Sequence, residues 1–388
     1  MRTIGAGLLS LALLLAMQPS TVAQAPQACT WSIGIMGALS GDYKRIGEPM
    51  ANGIRLAADI ANREGGLPCT LTTRAEDSQG DPNQSPRKAR ALTEDQQVVA
   101  CICGFFSGET LASGNVFERG GLIMVSTGTN RTIKKQGFDT WFRAIAADPR
   151  QARATVAYIK ENLRARKVVT VHDGQDYSEG LAQDVGDALG SRLRARYRIN
   201  PEESDYSAVV SKIKRVDPDV VYYGGYTPQA GALLRQLHEA RVGARFVVPD
   251  GSLDDEFMGR ALGRRNVDME ASCPCSDAQK IERAQEFARE YEDAYGEEPG
   301  IYSADTFDVA NIAIDALGEL TGLETTEQVR AHVVEYFDNV EHAAGTVKSY
   351  DWSDRGELKA GADHVFVWKW DNGTRKFEML GRVSELTS

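Results

Sequence analysis

The feature that most restricts this 388-residue chain is a regular alternation of short β-branched apolar runs with longer amphipathic stretches, and it occurs twice. Runs at 31–39, 70–77, 98–105 and 122–126 read as strands, while 47–63, 84–97 and 110–118 carry apolar residues at helical spacing. A second series follows Asp148-Pro149. It runs helix 150–163, strand 167–172, helix 178–189, strand 192–199, helix 205–216, strand 219–224, helix 228–240 and strand 246–249. Strands separated by helices of that length cannot pair as hairpins, so they form parallel sheets covered on both faces. Two series predict an α/β chain of two doubly wound parallel-sheet lobes.

The last third breaks the pattern. Helices at 278–295, 304–320 and 327–337 follow one another without a strand between them. A β-rich tail then carries Ser349-Tyr350-Asp351-Trp352 and the run 364–370, whose Asp371-Asn372-Gly373 is a hairpin signal. Surplus helices and a returning tail imply three passages between the lobes, expected at 146–149, 272–276 and 345–350. The expected division is 29–146 plus 276–346 for the N-terminal lobe and 147–275 plus 347–385 for the C-terminal lobe. A three-strand hinge of this kind lets two lobes close on a guest.

Residues 1–23 stand apart. Arg2 precedes an apolar run from Leu8 to Met17, and Pro19-Ser20-Thr21-Val22-Ala23 supplies small residues for cleavage after Ala23, the pattern of a signal peptide. No later stretch approaches ~20 apolar residues, so a soluble exported protein is expected. The net charge of -11, with no run of Lys or Arg, argues against nucleic acid or an anionic membrane as partner.

Export permits disulfides. Cys29 lies eight residues before Gly37 and Cys69 eight before Asp77, so neighbouring parallel strands would bring the two cysteines together, away from the strands' carboxyl ends. A Cys29–Cys69 bridge is one reading and two separate thiols the other. Cys101/Cys103 and Cys273/Cys275 read as disulfides or as buried thiols. A four-thiolate zinc site fits less well, because Cys-x-Cys leaves one residue where metal knuckles usually leave two. No metal or other cofactor is expected.

Open parallel sheets place their ligands at the carboxyl ends of their strands. Those ends here read Gly104-Phe105-Phe106-Ser107-Gly108, Ser126-Thr127-Gly128-Thr129, His172-Asp173-Gly174-Gln175-Asp176-Tyr177, Tyr222-Tyr223-Gly224-Gly225-Tyr226 and Pro249-Asp250-Gly251. Ser107 and Thr129 sit at strand-to-helix junctions, where backbone N–H groups and the helix dipole suit a carboxylate. Asp250 is an acceptor for an ammonium, and Tyr177 and Tyr226 offer phenols and flat apolar walls. Each residue alone reads equally as a helix cap or a core aromatic, and Tyr222 is expected to be structural. Five together at ordered strand ends point to a site for a small zwitterion. Gly-x-Gly-x-x-Gly, the Walker loop and Gly-x-Ser-x-Gly are all missing, which argues against an enzyme.

These residues also carry a resemblance. Gly37-Ala38-Leu39-Ser40-Gly41, Gly121-Leu122-Ile123-Met124-Val125-Ser126, His172-Asp173 with Tyr177-Ser178-Glu179-Gly180, Tyr222 through Pro228, and Pro249-Asp250-Gly251 all take part. Over residues 31–370 the chain resembles the periplasmic leucine/isoleucine/valine-binding proteins, the substrate-binding component of branched-chain amino acid ABC importers. The resemblance implies the type I periplasmic binding fold, with Ser107 and Thr129 at the ligand carboxylate and Gly128 as a backbone contact. It implies Asp250 and Tyr177 on the ammonium side, with Tyr226 lining the cleft. Asp250 stands where the family has Glu, and Ile46 where it often has an aromatic. Tyr302 falls near an aromatic of the family's side-chain pocket, so Ile46 and Tyr302 are candidates for specificity. The implied function is capture of an aliphatic amino acid by a monomer that delivers it to membrane permease subunits. The alternative is a receptor of the same fold for an amide, urea, a γ-amino acid or an aromatic acid.

Overall fold

The computed structural model describes residues 29–353, 356–359 and 364–387, so the expected signal peptide lies outside the described residues. Five strands form the first sheet: β1 (Thr30–Gly37), β2 (Thr70–Asp77), β3 (Val98–Cys103), β4 (Met124–Ser126) and β5 (Trp141–Arg143). They run parallel in the order β2-β1-β3-β4-β5. Central β3 is buried at every residue, as a strand covered on both faces must be. Helices α1 (Lys44–Glu64), α2 (Ser85–Glu94) and α3 (Ser107–Arg119) connect these strands.

α1 begins three residues before its expected start and holds Pro49 within it. It buries Ile46, Met50, Ile54 and Ala58, one face at a spacing of four residues. It ends at Gly65, whose φ of 75° is the left-handed region that glycine adopts without strain.

The second series supplies α4 (Asp148–Glu161), β6 (Val168–His172), α5 (Asp176–Leu189), β7 (Leu193–Arg198), α6 (Ser207–Val216), β8 (Val220–Tyr223), α7 (Thr227–Glu239), β9 (Arg245–Pro249), α8 (Asp255–Leu262) and β10 (Met269–Cys273). Edge strand β7 alternates half-buried and exposed residues, and Arg194, Arg196 and Arg198 on its open side oppose edge-to-edge pairing.

The late helices, α9 (Gln285–Tyr295), α10 (Ser303–Gly318) and α11 (Thr326–Asn339), pack against α1, β3 or one another. Arg330 on α11 donates to the carbonyls of Val98, Thr93, Gly120 and Asp95 at 2.9–3.1 Å, tying the helix to the base of the first sheet. α10 lies so close to α1 that a Cβ at Gly53 would stand 2.1 Å from the Ser303 carbonyl oxygen. The expected helix 278–295 is shorter. Ile281, in an extended conformation, separates two 3-10 turns before α9 begins.

Four two-residue strands follow: β11 (Ala343–Ala344), β12 (Ser349–Tyr350), β13 (Trp352–Ser353) and β14 (Glu357–Leu358). Then β15 (Phe366–Asp371) and β16 (Lys376–Arg382) join the second sheet antiparallel, and α12 (Val383–Leu386) ends it. The second sheet's order is β7-β6-β8-β9-β10-β15-β16.

The third passage is later than the expected 345–350. Trp352 donates its indole N–H to the Arg143 carbonyl at 2.8 Å and packs against Phe142 and Phe337, which holds 349–358 on the first sheet. β14 still contacts β5 of the first sheet, and from Phe366 the chain pairs with β10 of the second. A bulky indole with a partnered N–H holds this stretch on the first sheet.

Cys29 and Cys69 form a disulfide where β1 and β2 begin, as one reading had it. Cys101–Cys103 on β3 and Cys273–Cys275 at the end of β10 are also disulfides, so the four-thiolate zinc reading is not realised. Among the described residues, no helix is long and apolar enough to cross a membrane.

Candidate functional site

Both sheets reverse their winding direction beside their first strand: β1 lies between β2 and β3, and β6 between β7 and β8. Such switch points open a crevice at the strands' carboxyl ends. A cavity of ≈ 20 Å³ lies there, room for about one water molecule. Ser107, Thr127 and Thr129 line it from the first sheet's loops, and Tyr177, Tyr226, Asp250 and Gly251 from the second's. Ile46, Met50, Phe105, Phe106, Ile301 and Tyr302 supply the apolar wall.

The two polar sides have opposite character. Ser107 Oγ accepts from the backbone N–H of Thr129 (3.2 Å) and of Asn130 (3.1 Å). A hydroxyl has two lone pairs, so with both engaged Ser107 has only its O–H to offer. Ser107 is also the first residue of α3, where the dipole favours an anion. Glu109 fixes that turn by accepting from the Phe106 N–H at 3.0 Å, and burial pushes its carboxyl up to about 7. Thr127 donates to the Phe105 carbonyl at 2.9 Å, which clamps the β3 and β4 loops together.

Across the cavity Asp250 follows β9 and is 5% exposed. Its Oδ1 accepts from the Tyr177 hydroxyl at 2.8 Å and the Gln151 amide at 2.7 Å. Burial raises its pKa, and hydrogen bonds from Gln151, Tyr177 and Tyr302 oppose the rise. The Tyr226 ring joins the two sides, 5.0 Å from Tyr177 and 5.1 and 5.2 Å from Tyr43 and Phe106, centroid to centroid. Tyr302 holds a φ of 62°, a conformation an aromatic residue adopts only under strain, and it sits in the cavity wall.

Seven of the eight residues singled out from sequence therefore meet at one cavity: Ser107, Thr129, Tyr177, Tyr226, Asp250, Ile46 and Tyr302. Gly128 does not. Its carbonyl accepts from Arg143, and a Cβ there would stand 2.7 Å from Thr110 Oγ1, so close packing explains the glycine. Tyr222, expected to be structural, is fully buried.

Sequence reasoning missed Thr127, Met50 and Gln151, and it missed Asp148. Asp148 opens α4, and neither carboxyl oxygen has a hydrogen-bond partner among the described residues. Burial pushes it up to about 8, and the neighbouring Thr129 hydroxyl and Arg143 guanidinium only temper the rise. Asp148-Pro149 had been visible as a helix start, with no local sign that the carboxyl points inward.

Larger grooves lie elsewhere, one of ≈ 880 Å³ along α10 and α11, and contain none of the strand-end residues.

A family model described as periplasmic binding protein matches residues 30–373. The chain belongs to the periplasmic binding protein family. An amino acid binding protein from Pseudomonas aeruginosa is 28% identical over 375 residues, covering 94% of this chain and 96% of that one. A leucine-specific-binding protein from Salmonella typhimurium is 31% identical over 257 residues, 64% of this chain and 66% of that one. Among solved structures, the LivJ branched-chain amino acid transporter substrate binding protein from Streptococcus pneumoniae, in complex with isoleucine, matches with a TM-score of 0.80. It is 21% identical and covers 91% of this chain and 98% of its own. The type I periplasmic binding fold expected from sequence is the fold observed.

Proposed function

We propose that this protein is the extracytoplasmic substrate-binding component of an ABC importer, capturing an aliphatic or branched-chain amino acid in the interlobe cleft. One observation carries the reading. Ser107 has only a donor to offer and Asp250, when ionised, only acceptors, and they line the same cavity from opposite sheets. A guest with a carboxylate at one end and an ammonium at the other satisfies both. An aromatic acid brings no cation to the Asp250 carboxylate, and urea brings no carboxylate to the Ser107 side. The apolar wall from Ile46 to Tyr302 suits an uncharged side chain.

The likeness to a leucine-specific-binding protein and to an isoleucine-bound LivJ supports the same reading. The lobes fall at 29–146 plus 276–358 and 147–275 plus 364–387, the third passage taken from the Trp352 packing. The protein acts as a periplasmic monomer that hands its ligand to permease subunits and catalyses no reaction. The cavity of ≈ 20 Å³ is too small for an amino acid, so entry requires the lobes to part about their three connections.

A thermal-shift screen of the twenty amino acids, small amides, urea, γ-amino acids and aromatic acids tests this, because a ligand of the native state raises the melting temperature. Shifts confined to aliphatic amino acids are expected. Shifts from an amide or an aromatic acid, with none from any amino acid, overturn it.

A further inference from the structure

The geometry points to Gln151 as a positioning residue, whose amide fixes the Asp250 carboxylate and ties it to two of the three interlobe connections. This rests on reading the cleft as an amino-acid site. Gln151 is the fourth residue of α4, the helix that opens after the first passage. Its Nε2 donates to Asp250 Oδ1 at 2.7 Å and to the carbonyl of Ser272 at 2.8 Å. Ser272 is the next-to-last residue of β10, where the second passage begins. One side chain thus joins the end of one connection, the start of another and the acidic end of the cavity.

The amide's orientation is forced. Both partners are acceptors, so the nitrogen must face them, and turning the amide over would set Oε1 against a carboxylate. A packing role alone does not explain the residue. Gln151 is fully buried and its Oε1 has no partner among the described residues. An unsatisfied buried acceptor is unfavourable, and Met would fill the same space without it. What Met lacks is the pair of N–H donors.

The contact between α4 and β10 does not depend on Gln151. One turn on, Thr155 Oγ1 bonds Ser272 Oγ at 2.7 Å. Gln151→Met should therefore keep the fold and lose the positioning.

The test is affinity for the best amino acid from the thermal-shift screen, by calorimetry on the full mature chain, from about pH 4 to about pH 8. An amide donor stabilises the ionised carboxylate, so Asp250 must protonate at a higher pH once that donor is gone. Binding of an ammonium weakens as Asp250 protonates. Gln151→Met should then bind at least tenfold more weakly near neutrality, with its melting temperature almost unchanged. The acid limb of its profile should move to higher pH.

The other ionisable groups around Asp250 are Tyr177, Tyr222, Tyr226, Tyr302 and Asp148, with Arg143 beside Asp148. All are present in both proteins, so the difference between profiles isolates Asp250. Gln151→Asn keeps an amide but withdraws it by one methylene. It should move the limb in the same direction, and it serves if the Met variant fails to fold.

Equal loss at every pH, with no movement of the limb, overturns the inference in favour of packing. Unchanged affinity in Gln151→Met beside a strong loss in Asp250→Asn overturns it and leaves the amino-acid site standing. Unchanged affinity in Asp250→Asn as well overturns the reading of the cleft itself.

Discussion

Tyr177 and Asp250 come from different strand ends of one sheet, and the phenol of the first donates to the carboxylate of the second at 2.8 Å. Neither group meets bulk water: Tyr177 is 4% exposed and Asp250 5%. Burial raises the Asp250 pKa, and a neutral donor such as this phenol favours the ionised form against that rise. It does so without cancelling the charge, which is left to a cationic guest.

Removal of that charge should be the most damaging change at the site. Asp250→Ala is expected to fold and to lose at least about 2 kcal/mol of amino-acid affinity, because the ligand ammonium is left unpaired. Tyr177→Phe removes a single hydrogen bond to a charged group and should cost about 1.5–3 kcal/mol. Isothermal titration of both variants checks the order, and an unchanged affinity for Asp250→Ala would falsify the assignment.

Asp148 makes the unliganded protein sensitive to pH. Its carboxyl is raised to about 8 by burial, against an unfolded value near 3.9. The native state therefore holds a proton that the unfolded chain has released. The stability this contributes is complete below about pH 4 and is lost as pH rises to about 8. Chemical denaturation should find the ligand-free protein less stable at about pH 8 than at about pH 5. Asp148→Asn should shrink that difference by an amount on the order of 1–3 kcal/mol. Identical pH dependence in the variant would refute this account.

Outside the cavity, ion pairs span the elements of the two sheets, and under the proposed function they would hold the closed form. Arg131, in the loop after β4, meets Asp184 on α5 at 2.5 Å, and Arg45 on α1 meets Asp254 and Glu256 at 3.2 and 2.6 Å. Each joins the two sheets' loops and helices. Asp184 is nearly buried, so Arg131→Ala strands a carboxylate and should weaken the closed form by about 1–2 kcal/mol. Stopped-flow measurement should show this mainly as faster ligand release, with association little changed. The reverse pattern would count against a closing role.

Ile46 bounds the apolar end of the cavity. Truncation to Ala opens space that only a longer ligand side chain refills, and one methylene in such a pocket is worth about 1–3 kcal/mol. In thermal-shift titrations Ile46→Ala should shift preference toward bulkier aliphatic or aromatic amino acids. An unaltered ranking would remove Ile46 from the specificity wall.

Much of this site was legible before any coordinates. Strand and helix periods are local properties, and so is the point where one gives way to the other. Ser107, Thr129, Tyr177, Tyr226 and Asp250 stand at such points, and parallel strands carry all such points to the same side of a sheet. Ile46 and Tyr302 were placed by the likeness to a binding family, by position and not by a local motif.

Other features had no local mark. Gln151 lies inside an ordinary amphipathic helix, and its importance appears only when α4 meets Asp250 and Ser272, 99 and 121 residues away. Asp148 looked like a helix start, Gly128 like a ligand contact, and 345–350 like a passage. The burial of Asp148, the bond from Arg143 to the Gly128 carbonyl and the packing of the Trp352 indole come from tertiary neighbours that these local patterns do not show. Sequence alone thus settled which segments become strands and which side chains stand at their ends. Tertiary packing decided which of those side chains face one another, because hydrogen bonds and burial depend on neighbours that chain order does not name.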